Sequence, residues 1–166
     1  MPAYTKEMIA DLIDGRLPWA TLKNIMSGPK DIDRFEKYLE VLQERVSFTE
    51  PILVPIAEHL YVVQKGSQRI VKCDCGHEFG DYRTNWKLSA LIYVRDTEEK
   101  MDEIFEGLHK PDTGWSQIRE YYCPGCASQL EVEAVPPGYP ILFDFLPDID
   151  GFYDMRPELK KKIMGR

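Results

Sequence analysis

The sequence predicts an α+β protein: a helical N-terminal arm, a zinc-ribbon-like β-rich module carrying an inserted helix, and an extended C-terminal arm rich in proline and aromatic residues. Three observations carry that prediction. Apolar residues recur at helical spacing over roughly the first 47 positions. Runs of β-branched and aromatic residues then take over, and a close cysteine pair follows two of them. The stretch PPGYPILFDFLPDIDGFYDMRP holds five of the 12 prolines, too many for regular structure, yet is too aromatic for an ordinary disordered tail. The expected divisions are residues 1–50, 51–135 and 136–166.

The first predicted helix starts at Thr5, whose hydroxyl can accept an orphan backbone N–H. It places Met8, Ile9, Leu12 and Ile13 on one face and stops at Gly15. The second opens after Pro18, groups Trp19, Leu22, Ile25 and Met26, and breaks at Gly28-Pro29. The third runs from Asp31 to Val46, with Ile32, Phe35, Leu39, Leu42 and Val46 as its apolar stripe. Short helices are marginal alone in water, so these must pack on each other, on the rest of the chain or on a partner.

Pro51 and Pro55 mark a change of style. LYVVQ-KGSQ-RIVKC reads as a hairpin around Gly66-Ser67. Leu88 to Val94 reads as a strand with Leu88, Ala90, Ile92 and Val94 on one side. Asp96 and Glu99 resemble a capping box before a helix striped by Met101, Ile104, Phe105 and Leu108 and ended by Pro111. Strands follow at 118–123 and 129–135, the latter alternating Leu130, Val132 and Ala134. In the last stretch the choice lies between an arm folded back over its own domain and one laid across a partner, where buried Phe and Tyr would anchor the contact.

With 21 basic and 28 acidic residues the 166-residue chain has a net charge of −7; 43% of it is hydrophobic and 30% charged. Disorder throughout is excluded, and the length suits a buried core. No apolar run approaches the ~20 residues of a membrane span. The opening MPAYTKEMIADLID lacks the layout of a signal peptide, so a cytoplasmic protein is expected. The acidic balance argues against general nucleic-acid binding, although Arg69, Lys72, Arg83, Lys87 and Arg95 gather in sequence around the first cysteine pair.

The cysteines form Cys73-Asp74-Cys75 and Cys123-Pro124-Gly125-Cys126. Two tight turns that each offer two thiolates can supply the four soft donors of a tetrahedral Zn²⁺ site, and Gly76 and Gly125 suit such turns. The C-x-C half is tighter than the usual knuckle. The 47 residues between the pairs fit an inserted strand and helix over 86–110. Iron in a rubredoxin-like site, disulfides, a redox-active C-P-G-C pair acting as a small enzyme, and unconnected buried cysteines remain alternatives. Four cysteine ligands leave no open position, so such a metal is structural. His77 is a neighbour that could ligate or support the site, whereas His59 and His109 have no obvious partners by spacing and are expected at the surface. No phosphate-binding glycine loop, H-E-x-x-H or nucleophile elbow occurs, and no catalytic carboxylate pair stands out.

The segments IVKCDCGHEFGDYRTNWKLSALIYVRDT, WSQIREYYCPGCASQLEVEA and YPILFDFLPDIDGFY resemble the small gamma subunits of acetone carboxylase, as do PKDIDRFEKYLEVLQER and YTKEMIADLIDG upstream. Related small subunits occur in other ketone carboxylases, such as acetophenone carboxylase. The resemblance implies a non-catalytic subunit of a soluble ATP-dependent ligase that joins acetone and bicarbonate into acetoacetate. Its partners are then the large alpha and beta subunits of a hetero-oligomer, with Mn²⁺ and ATP held by those subunits. Only Cys73, Cys75, Cys123 and Cys126 carry over, as ligands of a structural Zn²⁺; no catalytic or cofactor-binding residue does. A stand-alone zinc-ribbon module that binds nucleic acid is the competing reading.

Overall fold

A computed structural model describes residues 4–107 and 109–165. The order of elements is α1 (Lys6–Ile13), α2 (Trp19–Ser27), α3 (Arg34–Arg45), β1 (Ile52–Ala57), β2 (Leu60–Lys65), β3 (Gln68–Cys73), β4 (Glu78–Asp81), β5 (Leu91–Arg95), α4 (Glu98–Asp102), β6 (Gln117–Tyr122), β7 (Gln129–Val135), α5 (Ile149–Asp154) and α6 (Pro157–Met164), with a 3-10 turn at Trp86–Ser89. Helices and antiparallel sheets make it an α+β fold. The strands form two meanders, β1-β2-β3-β4 and β5-β6-β7.

The β1–β4 sheet is covered on both faces, which is why β2 reads as an unbroken apolar run. Leu60 and Val62 point with Leu53, Val71, Cys73 and Phe79 into a core shared with Trp86, Tyr121, Cys123, Leu130, Ile149, Tyr153 and Leu159. Tyr61 and Val63 point the other way, with Ile52 and Ile70, onto Leu39 and Leu42 of α3. In-register pairs Val62↔Val71 and Val63↔Ile70 keep the two sets apart.

The N-terminal helices form as their caps direct. Thr5 accepts the Met8 N–H at 3.1 Å, and Gly15 takes φ +67° after α1. α3 is shorter than the pattern suggests: Ile32 lies before it, fully exposed, while Phe35, Leu39 and Leu42 do face the sheet. The α2 stripe is not buried. Leu22 and Ile25 are half-covered, but Trp19 is 69% and Met26 66% exposed.

Four elements differ from expectation for local reasons. Pro55 lies inside β1, an edge strand whose register shifts around it, as a residue without an N–H allows. Asn85 accepts the Lys87 N–H at 3.1 Å and folds Trp86–Ser89 into a turn, so strand β5 begins only at Leu91. Thr97, not Asp96, caps α4, and that helix ends at Asp102 with Met101 its buried residue. Ile104 and Phe105 lie beyond it, and Leu108 falls outside the described residues. The C-terminal stretch lacks regular structure only through Asp148; α5 and α6 follow, so it is not extended throughout. Asp148 starts α5 by accepting the Gly151 N–H at 3.0 Å.

The C-terminal helices fold back over the chain's own core. Tyr153 O–H donates to the Leu53 carbonyl at 2.8 Å, and Arg69 grips Asp150 with two nitrogens at 2.9 and 2.5 Å. Lys162 of α6 pairs with Glu36 and Glu40 of α3.

Candidate metal centre

Two strand ends deliver the cysteines. Cys73 closes β3 and Cys75 lies in the turn to β4; Cys123 follows β6 and Cys126 lies in the turn to β7. The two turns are built alike. The Cys73 N–H donates to the His77 carbonyl at 2.9 Å, and the Gly76 N–H donates back to the Cys73 carbonyl at 2.8 Å. Correspondingly, the Cys123 N–H reaches the Ser128 carbonyl at 2.9 Å and the Ala127 N–H the Cys123 carbonyl at 2.8 Å. Each turn needs one residue at positive φ, Gly76 at +95° and Ala127 at +60°. Gly125 lets the turns close on each other, because a Cβ there would stand 3.0 Å from His77 Cβ and 3.3 Å from Cys75 Sγ. Its N–H also donates to Cys123 Sγ at 3.3 Å.

All four sulfurs lie within 4.8 Å of one another. Cys73 and Cys126 are 3.8 Å apart, Cys75 and Cys123 3.7 Å. The four are free thiols, far beyond the ~2.05 Å of a disulfide. Tetrahedral corners ~2.3 Å from a central ion stand about 3.8 Å apart, so both the spacing and the all-thiolate donor set fit Zn²⁺ or iron. Burial pushes the Cys73 thiol far above its ordinary range. Hydrogen bonds from Ser128 draw the exposed Cys126 thiol down to about 7. A cation at the centre would favour the ionised sulfur that burial opposes.

The sequence's other readings fare differently. The C-P-G-C pair sits between two strands and not at a helix N-terminus, so the helix-end activation of a redox cysteine is missing. His77 packs edge-on against Phe79, ring centres 5.0 Å apart, and lies outside the sulfur cluster. His59 does have a partner: its Nδ1 is 2.7 Å from Asp74 Oδ2, and the Asp74 N–H donates to the His59 carbonyl at 3.1 Å. The pair buttresses the first cysteine turn, and 15 residues of separation hid it from spacing arguments. His109 is exposed.

Beside the centre lies a charged cluster that the sequence reading missed. Lys87 is fully buried, and its Nζ stands 2.6 Å from Glu131, 2.6 Å from Glu133 and 2.9 Å from Asp144. Tyr121 O–H donates to Glu133 at 2.9 Å, and Arg119 Nε lies 3.7 Å from the same carboxylate. Burial pulls the Lys87 ammonium down, but the three carboxylates more than reverse that. Burial raises Glu131. The alternation in β7 was visible, yet its inward set differs from the apolar one: Glu131 and Glu133 are the residues turned to Lys87, while Val132 is 50% exposed. An edge-to-face chain, Phe79–Trp86–Tyr121, runs from the core around Cys73 and Cys123 to this cluster at 5.9 and 6.0 Å between rings.

The basic residues around the first cysteine pair are committed to carboxylates. Arg69 holds Asp150, Lys72 Glu50, Arg83 Asp81, Lys87 its three partners, and Arg95 Glu120 and Glu103. They form no stripe of unpaired cations of the kind that binds phosphates. Among the described residues no helix is long and apolar enough to cross a membrane.

The family model of the acetone carboxylase gamma subunit matches residues 46–156. That span begins where α3 ends and takes in both sheets and α5. The chain is 47% identical over 153 residues to the acetone carboxylase gamma subunit of Xanthobacter autotrophicus (strain ATCC BAA-1158 / Py2), covering 91% of each chain. It is 34% identical over 126 residues to the acetophenone carboxylase beta subunit of Aromatoleum aromaticum (strain DSM 19018 / LMG 30748 / EbN1), covering 74% of this chain and 88% of the relative.

Proposed function

The chain belongs to the acetone carboxylase gamma subunit family, and from that premise we propose that it is the small, structural, zinc-binding subunit of a heteromeric ATP-dependent ketone carboxylase. The substrate we assign is acetone, joined to bicarbonate to give acetoacetate, on the strength of 47% identity across 91% of the chain. The same role in a carboxylase of a related ketone, such as acetophenone, is the second reading, supported by the 34% identical relative. The enzyme is expected in the cytoplasm.

The observation that carries the role is the convergence of Cys73, Cys75, Cys123 and Cys126 from both sheets onto one point. Four thiolates would hold Zn²⁺ with no position left for substrate, so the ion would supply folding energy and not chemistry. We assign the chain no catalytic residue and place Mn²⁺ and ATP in the large alpha and beta subunits. This chain's own residues shape the support. The His59–Asp74 pair steadies the first cysteine turn, and Gly125 keeps room for the second. In this reading 1–50 is an appended helical arm, 51–135 the metal-pinned module and 136–166 the C-terminal arm; the start of the family match at residue 46 supports the first boundary. The exposed Trp19 and Met26 of the first arm, and Leu142, Phe145 and Leu146 of the last, are the surfaces offered to the large subunits.

Native mass spectrometry of the complex purified from its source, with metal analysis of this chain, tests the proposal. Large partner subunits and about one zinc per chain are expected. Recovery of the chain alone overturns the subunit role; a metal-free chain of full stability overturns the zinc role.

A further inference from the structure

Sulfurs spaced to hold an ion are also near enough to bond to one another once the ion is gone. Within a cluster whose sulfurs all lie within 4.8 Å of one another, Cys73 is 3.8 Å from Cys126 and Cys75 is 3.7 Å from Cys123, two contacts that cross from one turn to the other. In each contact one sulfur is buried, Cys73 or Cys123, and one is exposed, Cys126 or Cys75. A disulfide within the first turn would close a ring over Asp74 alone. Asp74 is already fixed, through its N–H to the His59 carbonyl and through its carboxylate to the His59 ring. The first turn is therefore ill placed to form a bond of its own, and once both of its sulfurs bond across to the second turn no pair within a turn is left.

We propose that the cluster is also an oxidation site, at which hydrogen peroxide converts the four cysteines into two disulfides between the turns, Cys73–Cys126 and Cys75–Cys123, and displaces the metal. Only the displacement rests on the zinc reading. The exposed Cys126 sulfur attacks a peroxide oxygen; the O–O bond breaks, a sulfenic acid forms, and the other oxygen leaves as hydroxide, becoming water with the thiol proton or, where the sulfur held the metal as thiolate, with a proton from solvent. The buried Cys73 sulfur then attacks the sulfenic sulfur. An S–S bond forms, the S–O bond breaks, and hydroxide leaves, becoming water with the second thiol proton or, from a metal-bound thiolate, with a proton from solvent. Each disulfide thus consumes one peroxide and yields two waters, with one electron withdrawn from each sulfur. Cys75 and Cys123 react likewise. Because each bond ties the turn after β3 to the turn after β6, the two sheets stay joined when the ion is gone.

The test is stepwise addition of hydrogen peroxide to the full chain purified with its metal under reducing conditions. Metal release is followed with a colorimetric chelator, intact mass is recorded, and disulfides are mapped by non-reducing proteolysis. The expected result is loss of two hydrogen masses per disulfide, release of the ion, and links at Cys73–Cys126 and Cys75–Cys123 only. Cys126→Ser should leave Cys73 reduced while Cys75–Cys123 still forms; if that variant does not fold, the mapping of the unaltered chain decides. Links within a turn, stable oxygen adducts, or no reaction while a free cysteine peptide in the same tube oxidises would each overturn the proposal. The same two links in a chain that never held metal would overturn the zinc reading and leave the pairing intact. Metal release with links within a turn would do the reverse.

Discussion

Replacing Lys87 by methionine keeps most of the side chain's volume and removes its charge. Lys87 is wholly inaccessible and has carboxylate oxygens at 2.6, 2.6 and 2.9 Å. With Arg119, the cluster holds two cations against three carboxylates; the substitution leaves one cation against three. Removing one member of a buried ion pair costs about 3–5 kcal/mol, because the remaining charge stays buried without compensation. Asp144 is more than half exposed and water screens it, whereas Glu131 and Glu133 are mostly covered, so the cost falls on those two. For a chain of this size the melting temperature should fall by roughly 10 °C. The sign of the pH dependence follows from Glu131, whose carboxyl burial already raises. Without Lys87 its folded pKa rises further above the unfolded value, so the folded state gains stability as it takes up a proton. The deficit should therefore shrink as pH falls from 7.5 towards 5, and adding Glu133→Gln should recover part of it at neutral pH. Urea denaturation at several pH values measures this. A deficit below about 1 kcal/mol, or one that does not change with pH, refutes the view that Lys87 is the internal counter-charge.

Three further outcomes are expected. Cys73→Ser or Cys123→Ser should abolish metal retention and the cooperative thermal transition, since structural zinc supplies ~10–16 kcal/mol in small peptides, comparable to the whole stability of a domain; calorimetry with metal analysis checks this. Gly125→Ala must push His77 or Cys75 aside and should cost about 1–3 kcal/mol, with faster metal loss to a chelator in proportion. Tyr153→Phe removes the buried bond to the Leu53 carbonyl at 2.8 Å and should lower stability by about 1–3 kcal/mol in urea, because that carbonyl loses its partner.

The parts legible in the sequence were those governed by near neighbours. The caps at Thr5 and Gly15, the hairpin around Gly66 and the strands at 117–122 and 129–135 all depend on residues within a few positions. The cysteine turns were legible because their spacing is itself the geometry. What escaped depends on tertiary partners. β1 carries Pro55 and looks unlike a strand until its pairing with β2 is known. The 3-10 turn at Trp86–Ser89 exists because Asn85 caps it and because Lys87 finds three carboxylates 44 to 57 residues away. α4 is cut short in part because Arg95 donates to the Lys100 carbonyl at 2.8 Å, taking a group that a longer helix would use. Trp19 and Met26 of the predicted α2 stripe stay exposed because no element among the described residues covers them, while Leu22 and Ile25 are half-covered.

The hydrogen bond between Tyr153 and Leu53 joins residues 100 apart in sequence. At ~5–20 residues per second on the ribosome, roughly 5–20 s separate the appearance of the two partners. Throughout that interval the apolar face of the first sheet, Leu53, Val62 and Val71, lacks α5, and until Val135 has been made it lacks the complete second sheet as well. Cys73 and Cys75 wait too, as a half-site unable to close until Cys123 and Cys126 arrive. A nascent chain holding a bare sheet and two unmatched thiols is a substrate for chaperones and proteases. Its yield in a cell should respond to chaperone supply and to zinc during synthesis more steeply than the stability of the finished subunit does.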